Sequence, residues 1–416
     1  MKTKQEQKDS TFYKGMVFFK SLFFSMIYVV TSLYEARVAG LTGAQLVMVG
    51  TTLEITIFLF EIPTGIVADI YSRRLSIIVG FLIIGTGFIV EGFFPFFVPI
   101  LIAQVLKGVG FTFTSGAEEA WLSDEIGEKN ANRTFLQANK FDLAGAFIGM
   151  AIAIPLGNFS IKAPFLLGGP LFIIMGLCLM VIMPEKGFKP LRTNERHSWN
   201  RFFDVFRNGF EVVKQRADLR TALSAGFIYG LYSEGWDRLW VKHLITRFSI
   251  QGSLGISEVT FLGLLRASGV LFSIVGNHFV EKKLDSAHIP SITMGLLVLS
   301  GLLSISILLF AFSSFLLLCV IAVWLVYLTR NLIAPLYSAW VNQRLDSETR
   351  ATVISMSGQV DAIGQITSGP VAATISLWSV QAAISAAAIL IWPAFPLIRK
   401  AGKSYESKKN NSIDQS

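Results

Sequence analysis

Residues 61–74 read EIPTGIVADIYSRR and follow the apolar run ITIFLF at residues 55–60. The apolar run suits the interior of a helix, whereas the stretch after it places a glycine four residues before an aspartate and closes with two arginines. Charged residues that gather where an apolar segment stops indicate a polar turn between two apolar helices. The turn is therefore expected among Gly65, Asp69, Arg73 and Arg74.

The composition of the chain points to a membrane protein. Of its 416 residues, 52% are hydrophobic and only 15% are charged, and the mean hydropathy is +0.57. Soluble domains carry about 25% charged residues, so a chain this poor in charge is best covered by lipid. The net charge of +8 lies in short clusters between apolar runs, which excludes a nucleic-acid-binding role.

Apolar segments long enough to cross a bilayer recur along the whole chain. A spanning helix needs about 20 mostly apolar residues. The sequence predicts twelve such spans, at residues 15–36, 43–68, 75–95, 97–121, 135–156, 163–183, 219–241, 257–278, 288–311, 314–339, 351–376 and 379–397. The expected fold is therefore an all-α integral membrane protein.

The distribution of lysine and arginine predicts the orientation. These residues concentrate before span one and after the even-numbered spans, while the opposite side holds little beyond Lys162, Lys242 and Arg247. Because cytoplasmic loops carry the excess of basic residues, both termini are expected in the cytoplasm. The predicted domains are a cytoplasmic segment 1–14, a bundle 15–183, a cytoplasmic central loop 184–217, a second bundle 218–398 and a cytoplasmic tail 399–416.

The two predicted bundles resemble each other in sequence. AWLSDE at 120–125 matches AWVNQR at 339–344, and DLAG at 142–145 matches DAIG at 361–364. The offset is 219 residues in both cases (339 − 120 and 361 − 142). Matches in one order and at one offset indicate duplication. Two repeated bundles of six helices predict a binding site near the middle of the bilayer and alternating access to it.

The stretch GIVADIYSRR at 65–74 resembles the signature between helices two and three of the major facilitator superfamily. Ser72 stands where that family usually has glycine. EIPTG at 61–65 and SGAEEAWLSD at 115–124 look like bacterial branches with multidrug, macrolide and tetracycline exporters. Pro155 comes later than the proline of the family's antiporter motif.

The resemblance implies a fold of two pseudo-symmetric six-helix bundles. It also implies that Asp69 pairs with the arginines beside it and faces a helix of the second half, as a latch that releases when the halves rock. The alternative is a plain basic turn with an acid at the end of a helix.

Several charged residues fall inside the predicted spans, where each costs at least about 2.5–3.5 kcal/mol and needs a reason. The candidates for proton coupling are Glu54, Glu118, Glu119, Asp142 and Asp361, and the candidate cation partners are Lys107, Arg266 and Arg330. A carboxylate carries a proton only if its surroundings change between two access states, because burial disfavours the charged form and a nearby cation favours it. The alternative for each is a buried ion pair that fixes helix packing.

A second group of charges lies near the outer ends of spans one and seven. Glu35, Arg37, Glu234, Asp237 and Arg238 are the candidates for an outer gate. Glu234 and Arg238 have the spacing of an ion pair on one helix. That leaves Asp237 to bind Arg37, either as a gate or as part of an interfacial network of salt bridges.

Aromatic residues on the predicted spans suggest a large, adaptable cavity for amphipathic compounds. The candidates are Phe58, Phe111, Tyr229, Tyr232, Trp236, Tyr327 and Tyr337. The alternative for each ring is core packing or a place in the interfacial belt.

The sequence contains no nucleotide-binding loop of the G-x-x-x-x-G-K-[ST] kind and no set of residues that suggests a metal site or an enzyme. We therefore expect no cofactor and no ATPase subunit, with the proton gradient as the energy source. The expected partners are membrane lipid, a small-molecule substrate and protons, and not nucleic acid. The resulting hypothesis is a proton-coupled exporter of the bacterial inner membrane. The alternatives are a symporter or metabolite exporter on the same fold, and a transporter-like receptor or lipid flippase.

Overall fold

The computed structural model describes residues 4–189, 207, 211, 213–281, 289–342 and 347–400. Most of the predicted central loop and nearly all of the predicted tail lie outside these residues. The described part of the chain is helical, and no strand occurs in it. The all-α fold class is confirmed.

The described residues up to 189 form seven helices where six spans were predicted. They are α1 (Lys4–Arg37), α2 (Gly43–Ile70), α3 (Arg73–Phe93), α4 (Phe97–Thr114), α5 (Ala117–Ile126), α6 (Glu128–Phe159) and α7 (Ala163–Ile182). Predicted span four was expected to be continuous and is divided between α4 and α5. The reason is Gly116, whose φ of +69° is a conformation that glycine adopts readily.

The break in span four changes the position of two predicted proton carriers. Glu118 and Glu119 lie in the first turn of α5 and not inside a continuous spanning helix. Carboxylates are favourable at this end of a helix because the backbone N–H groups there are unpaired and carry partial positive charge.

Seven helices follow from residue 217 to residue 389, and residues 394–400 are helical as well. The seven helices are α8 (Ala217–Arg247), α9 (Ile250–Leu254), α10 (Glu258–Glu281), α11 (Ile289–Phe312), α12 (Leu316–Asn342), α13 (Ser347–Trp378) and α14 (Val380–Ile389). Ten helical segments of the described chain are long and apolar enough to cross a membrane. Helices α8 and α13 occupy predicted spans seven and eleven, but polar residues lower their hydropathy.

Polar side chains cap the N-termini of α2 and α3, the two helices that meet within the 61–74 stretch. At the start of α2, the Thr42 hydroxyl accepts from Gln45 N and the Gln45 side chain accepts from Thr42 N at 2.9 Å. At the start of α3, the Ser72 hydroxyl accepts from Leu75 N at 2.8 Å. Each cap satisfies a backbone donor that the first turn of a helix leaves unpaired.

The chain divides into two compact units. Unit 1 comprises Met1–Gln45, Thr52–Ser198 and Ser249–Leu264, and unit 2 comprises Leu46–Thr51, Trp199–Phe248 and Leu265–Ser416. In unit 1, α1 packs on α6, and α3 packs on α4 and α7. In unit 2, α8 packs on α13 and α14, and α11 packs on α12. The domain boundaries given by the sequence remain a prediction.

The internal sequence repeat has a counterpart in helix packing. A Cβ on Gly145 of α6 would lie 2.2 Å from the Phe18 carbonyl of α1, and one on Gly364 of α13 would lie 2.4 Å from the Phe227 carbonyl of α8. Each helix pair therefore approaches closely at the glycine that the sequence repeat aligns. This equivalence supports duplication.

Candidate functional site

A polar cavity of about 470 Å³ lies within unit 2 among α8, α12 and α13. Its lining combines tyrosine rings, small polar side chains and three charged groups. The residues that carry its chemistry are Tyr229, Tyr232, Asp237, Arg330, Tyr337 and Asp361. The cavity thus brings together side chains from helices that are distant in sequence.

Arg330 and Asp237 form a bidentate ion pair in the cavity wall. Arg330 Nη2 donates to Asp237 Oδ2 at 2.9 Å, and Nη1 donates to Oδ1. The guanidinium also lies over the ring of Tyr232, 5.9 Å from its centroid. Two parallel hydrogen bonds and an aromatic face hold the guanidinium in one orientation.

Asp361 is the second carboxylate of the cavity. It accepts a hydrogen bond from Gln365 Nε2 at 2.9 Å and forms no ion pair within the described residues. The cavity wall therefore contains two carboxylates and one cation, and the cation is bound to Asp237. This arrangement leaves Asp361 as the carboxylate that can gain or lose a proton without breaking an ion pair.

Hydrogen bonds fix the hydroxyl groups of two tyrosines in the lining of the same cavity. Tyr337 donates to the Ala222 carbonyl at 3.0 Å and accepts from Ser357 at 3.2 Å. The Tyr229 hydroxyl and the Ser300 hydroxyl are 2.8 Å apart. The rings of Tyr229 and Tyr337 meet edge to face with centroids 5.8 Å apart, so the cavity presents rigid aromatic surface as well as polar atoms.

The other aromatic residues predicted for the cavity lie elsewhere. Trp236 is buried and packs on Trp240 and Phe310, with ring centroids 6.2 and 5.0 Å apart. Phe111 packs on Phe24 in unit 1, and the ring of Tyr327 lies against Gly269 of α10. Phe58 is half-buried on α2. Helical periodicity places these rings on spans, but the rotation of each helix decides which rings face the cavity.

Asp237 and Arg37, which the sequence predicts to pair, each bind another partner within their own unit. Asp237 binds Arg330, whereas Arg37 binds Glu258, with 3.1 Å between Arg37 Nε and Glu258 Oε2. Glu258 begins α10 and was not singled out in the sequence. Positions near the ends of two predicted spans do not tell which helices are neighbours.

The ion pair within α8 is present as the spacing predicts. Arg238 Nε lies 3.4 Å from Glu234 Oε1. Glu35 is buried on α1, with an exposed fraction of 3%. These residues lie outside the lining of the polar cavity.

Unit 1 holds one part-buried and one fully buried ion pair whose partners the sequence did not reveal. Lys20 of α1 lies 2.5 Å from Glu118, and Lys107 of α4 lies 2.5 Å from Glu91 of α3. Glu119, the neighbour of Glu118, is exposed. Glu91 falls near the end of predicted span three. A carboxylate at the end of a span can reach water, so the sequence did not indicate that Glu91 is buried in an ion pair.

Three further predicted residues have other surroundings. Glu54 is half-buried on α2, and Asp142 is half-buried on α6, where its backbone carbonyl accepts from Ser21 at 2.8 Å. Arg266 of α10 lies over the ring of Trp240, 5.3 Å from its centroid, and no carboxylate of the described residues pairs with it. The expectation that Arg266 would be half of a buried ion pair is not met.

The turn in the 61–74 stretch contacts two acids from elsewhere in unit 1, Asp124 on α5 and Glu185 after the end of α7. Asp69 forms an ion pair with Arg73, and Arg73 Nε lies 3.7 Å from Asp124 of α5. The Ser72 hydroxyl and Arg74 N donate to Glu185, at 2.6 and 2.9 Å.

Ser72 and Gly65 therefore differ in what the structure requires of them. Ser72, at the usual glycine position, both caps α3 and holds the segment after α7. Gly65 has no neighbour within 4 Å of a Cβ position, so packing within the described residues does not require a glycine there.

No group of three or more potential metal ligands occurs among the described residues. The described residues offer no cluster suited to holding a metal. The expectation of no cofactor remains a prediction.

Comparisons with known proteins agree with this architecture. The family profile described as Major Facilitator Superfamily matches residues 15–369. The uncharacterized MFS-type transporter YxaM of Bacillus subtilis (strain 168) is 21% identical over 401 residues, covering 93% of this chain and 94% of YxaM.

Solved structures of transporters share the fold of this chain. The nucleoside transporter NupG superposes with a TM-score of 0.75 at 14% identity, covering 94% of this chain and 98% of NupG. The peptide transporter POT in complex with sulfate superposes with a TM-score of 0.70 at 14% identity, covering 95% of each chain. A bacterial homolog of the human lysosomal transporter Spinster gives 0.74 at 13% identity, covering 97% of this chain and 98% of that one. At these identities the likeness establishes the fold alone.

Proposed function

Because the chain belongs to the major facilitator superfamily, and is therefore a multi-pass membrane protein and a secondary transporter, we propose that it exchanges protons for a small amphipathic compound that leaves the cell. The proposed location is the inner membrane of a bacterium, which fits the Bacillus relative. The proposed energy source is the proton gradient.

The observation that carries the proposal is Asp361 in the wall of the polar cavity. It lies on α13 in the same cavity as the Arg330–Asp237 pair and is not itself in an ion pair within the described residues. A buried carboxylate without a cation favours the protonated form, and an approaching cation favours the ionised form. Asp361 would bind a proton when the cavity is empty and release it when Arg330 or a substrate changes its surroundings.

The dimensions of the cavity fit a small organic molecule. About 470 Å³ lies within the 300–1,000 Å³ range of ligand pockets. Tyr229, Tyr232 and Tyr337 supply ring surface, and their hydroxyls together with Ser233, Ser357 and Gln365 supply hydrogen-bonding groups. A compound with a ring and a few polar groups would use both kinds of surface.

The turn in the 61–74 stretch supports a gated mechanism. Asp69, Arg73 and Asp124 form a chain of charges at one end of α2, α3 and α5. We propose that this group stabilises one access state and rearranges in the other. The outward direction rests on the resemblance of EIPTG and SGAEEAWLSD to bacterial exporters.

A proton-coupled symporter is the second candidate. The tyrosine hydroxyls, serines and Gln365 in the cavity lining favour it, because they can form several hydrogen bonds with a polar metabolite. Structures similar to this chain include a nucleoside transporter and a peptide transporter. Both candidates use Asp361 in the same role and differ in the direction of proton movement.

The test is a solute-dependent pH change in proteoliposomes that contain a trapped pH dye. Addition of a transported solute outside should make the lumen more alkaline in antiport, because protons leave as the solute enters. Symport would make the lumen more acidic. The absence of any pH response across a broad panel of solutes would contradict proton coupling.

Two aspartate variants locate the coupling residue. Asp361→Asn should remove the pH response and retain solute binding, because the amide keeps the size and polarity of the side chain and cannot titrate. Asp142→Asn is the matched control, since Asp142 is the repeat counterpart of Asp361 and lies outside the cavity lining. An unchanged pH response in Asp361→Asn would show that another group carries the proton.

A further inference from the structure

Arg266 of α10 differs from the other buried cations. Its guanidinium is half-buried over the Trp240 ring, and its Nε is buried without a hydrogen-bond partner in the described part of the chain. Lys107 and Arg330, the other two cations predicted well inside spans, are bound to Glu91 and Asp237. Among these three, only Arg266 lacks a carboxylate partner within the described residues.

An unpaired cation at this depth indicates a partner that comes from outside the chain. Charged groups inside a membrane are costly and are retained where they pair with each other or line a pathway. Trp240 cannot replace a carboxylate, because a cation over a ring stays without a counter-charge. Trp240 instead fixes the plane of the guanidinium, since it is itself buried and stacked on Trp236 at 6.2 Å with an interplanar angle of 12°.

Aromatic surface lies along the same helix. Gly269, three residues after Arg266, lies against the Tyr327 ring, with 2.9 Å between an ideal Cβ and Tyr327 Cδ2. Trp324 donates to Ser268 at 3.1 Å and stacks on Phe272. This stretch of α10 therefore combines several rings with one positive charge that no described carboxylate neutralises.

We propose that Arg266, which lies in unit 2 outside the lining of the cavity among α8, α12 and α13, is a second position that binds the anionic group of the transported compound, and that this compound is an aromatic carboxylate or sulfonate. The planar guanidinium can form two parallel hydrogen bonds to such a group, which a point charge cannot. This assignment rests on the proposed function and narrows its substrate from an amphipathic compound to an amphipathic anion.

The test compares three probes that share one ring system and differ in charge. They are 2-naphthoate, 2-naphthylmethanol and 2-naphthylmethylammonium, each measured by equilibrium dialysis on the full-length protein in phosphatidylcholine nanodiscs. The neutral lipid removes anionic headgroups that could occupy Arg266. Wild-type protein should bind 2-naphthoate most tightly. Tighter binding of the ammonium probe, or no binding of 2-naphthoate, would overturn the assignment.

Three arginine variants test the residue itself. Arg266→Gln should weaken 2-naphthoate binding at least tenfold and leave the neutral probe within about twofold. Arg266→Lys keeps the positive charge but lacks the two parallel N–H donors of the guanidinium, so it should weaken 2-naphthoate binding by a smaller factor. This variant also provides the test if Arg266→Gln does not fold. Arg247→Gln is the control, because Arg247 is an exposed arginine at the end of α8 that bonds the Phe312 carbonyl and Ser314. Wild-type affinity in folded Arg266→Gln or Arg266→Lys would overturn the assignment.

Failure of this assignment and failure of the proposed function are distinguishable. If the ammonium probe alone drives a pH change in proteoliposomes, proton coupling stands and the anion site is refuted. If 2-naphthoate binds in an Arg266-dependent way and no solute drives a pH change, the anion site stands and proton coupling is refuted.

Discussion

Lys107 and Glu91 have exposed side-chain fractions of 2% and 0%, and their charged atoms are 2.5 Å apart. The Lys107 ammonium also lies over the Phe88 ring, 4.9 Å from its centroid. A pair this buried contributes little net stability relative to apolar residues of similar size, because desolvation offsets the attraction. Replacing only one of the two residues is strongly destabilising, because the other charge is then left buried without a counter-charge.

Lys107→Met should therefore lower the free energy of unfolding by about 3–5 kcal/mol, because Glu91 would stay buried and unpaired. The double variant Lys107→Met/Glu91→Leu should recover most of this loss. Denaturant unfolding in detergent micelles measures both. The control is Arg37→Gln, which should cost at most about 1 kcal/mol because Arg37 is 47% exposed in its pair with Glu258. Equal stability of Lys107→Met and wild type would contradict this account of the pair.

At the residue scale, the sequence indicates which charges are unusual and not which of them meet. Lys107 and Arg330 stand out because they interrupt apolar runs. Their partners, Glu91 and Asp237, lie on other helices, so their contact depends on helix neighbours and side-chain direction. Glu234 and Arg238 could be paired from sequence because one helix fixes their separation.

At the element scale, close helix packing rests on glycines at aligned positions of the two halves. Gly145 lets α6 approach α1, and Gly364 lets α13 approach α8. In a membrane, helices associate through tight packing, and small residues allow their backbones to come close. The two glycines lie in predicted spans five and eleven, at positions that the sequence repeat aligns.

Gly145→Ala and Gly364→Ala should each destabilise the protein by roughly 1–3 kcal/mol, because the new methyl would overlap a backbone carbonyl that cannot move away. Thermal unfolding in detergent is the measurement. Gly15→Ala on α1 is the matched control, since no atom lies within 4 Å of its Cβ position. Alanine there should be neutral or stabilising by up to about 1 kcal/mol, as its helix propensity predicts. A loss of stability at Gly15 equal to that at Gly145 would refute the packing argument.

The break between α4 and α5 was beyond sequence reasoning for a specific reason. Hydropathy continues across Ser115 and Gly116, and a glycine inside an apolar run is common in membrane helices. Only the backbone conformation of Gly116 shows that the helix stops. The consequence is local but important, because Glu118 then lies at the start of a helix and binds Lys20.

At the scale of the whole molecule, the two proposals together predict how much net charge crosses the membrane in each exchange. Export of a monoanion in exchange for one entering proton moves two positive charges inward in net terms. Each charge is worth about 2.3 kcal/mol per 100 mV, so a negative-inside potential would contribute about 4.6 kcal/mol per 100 mV to each exchange.

We therefore expect 2-naphthoate efflux from proteoliposomes to accelerate when valinomycin and a potassium gradient impose a negative-inside potential. The measurement is the initial efflux rate at a fixed pH gradient. Efflux with equal potassium on both sides and valinomycin present is the control, since it holds the potential at zero. A rate independent of potential would contradict exchange of an anion for a proton and would agree with electroneutral symport.

The membrane character, the helical fold and the family of this protein follow from local features of its sequence. Apolarity belongs to each residue, the thickness of the bilayer sets the length of a span, and the stretch at 61–74 repeats a local pattern that needs no distant contact. These properties are readable along the chain.

Tertiary structure alone decided which charges meet, which rings line the cavity and which cation has no acid beside it in the described part of the chain. Asp237 meets Arg330, Arg37 meets Glu258, Trp236 faces the core and not the cavity, and Arg266 has an aromatic neighbour and no described acid. The physical reason is that a rotation of a helix about its own axis redirects every side chain on it. That rotation is set by packing against neighbours such as the α1–α6 and α8–α13 pairs, which no local pattern reveals.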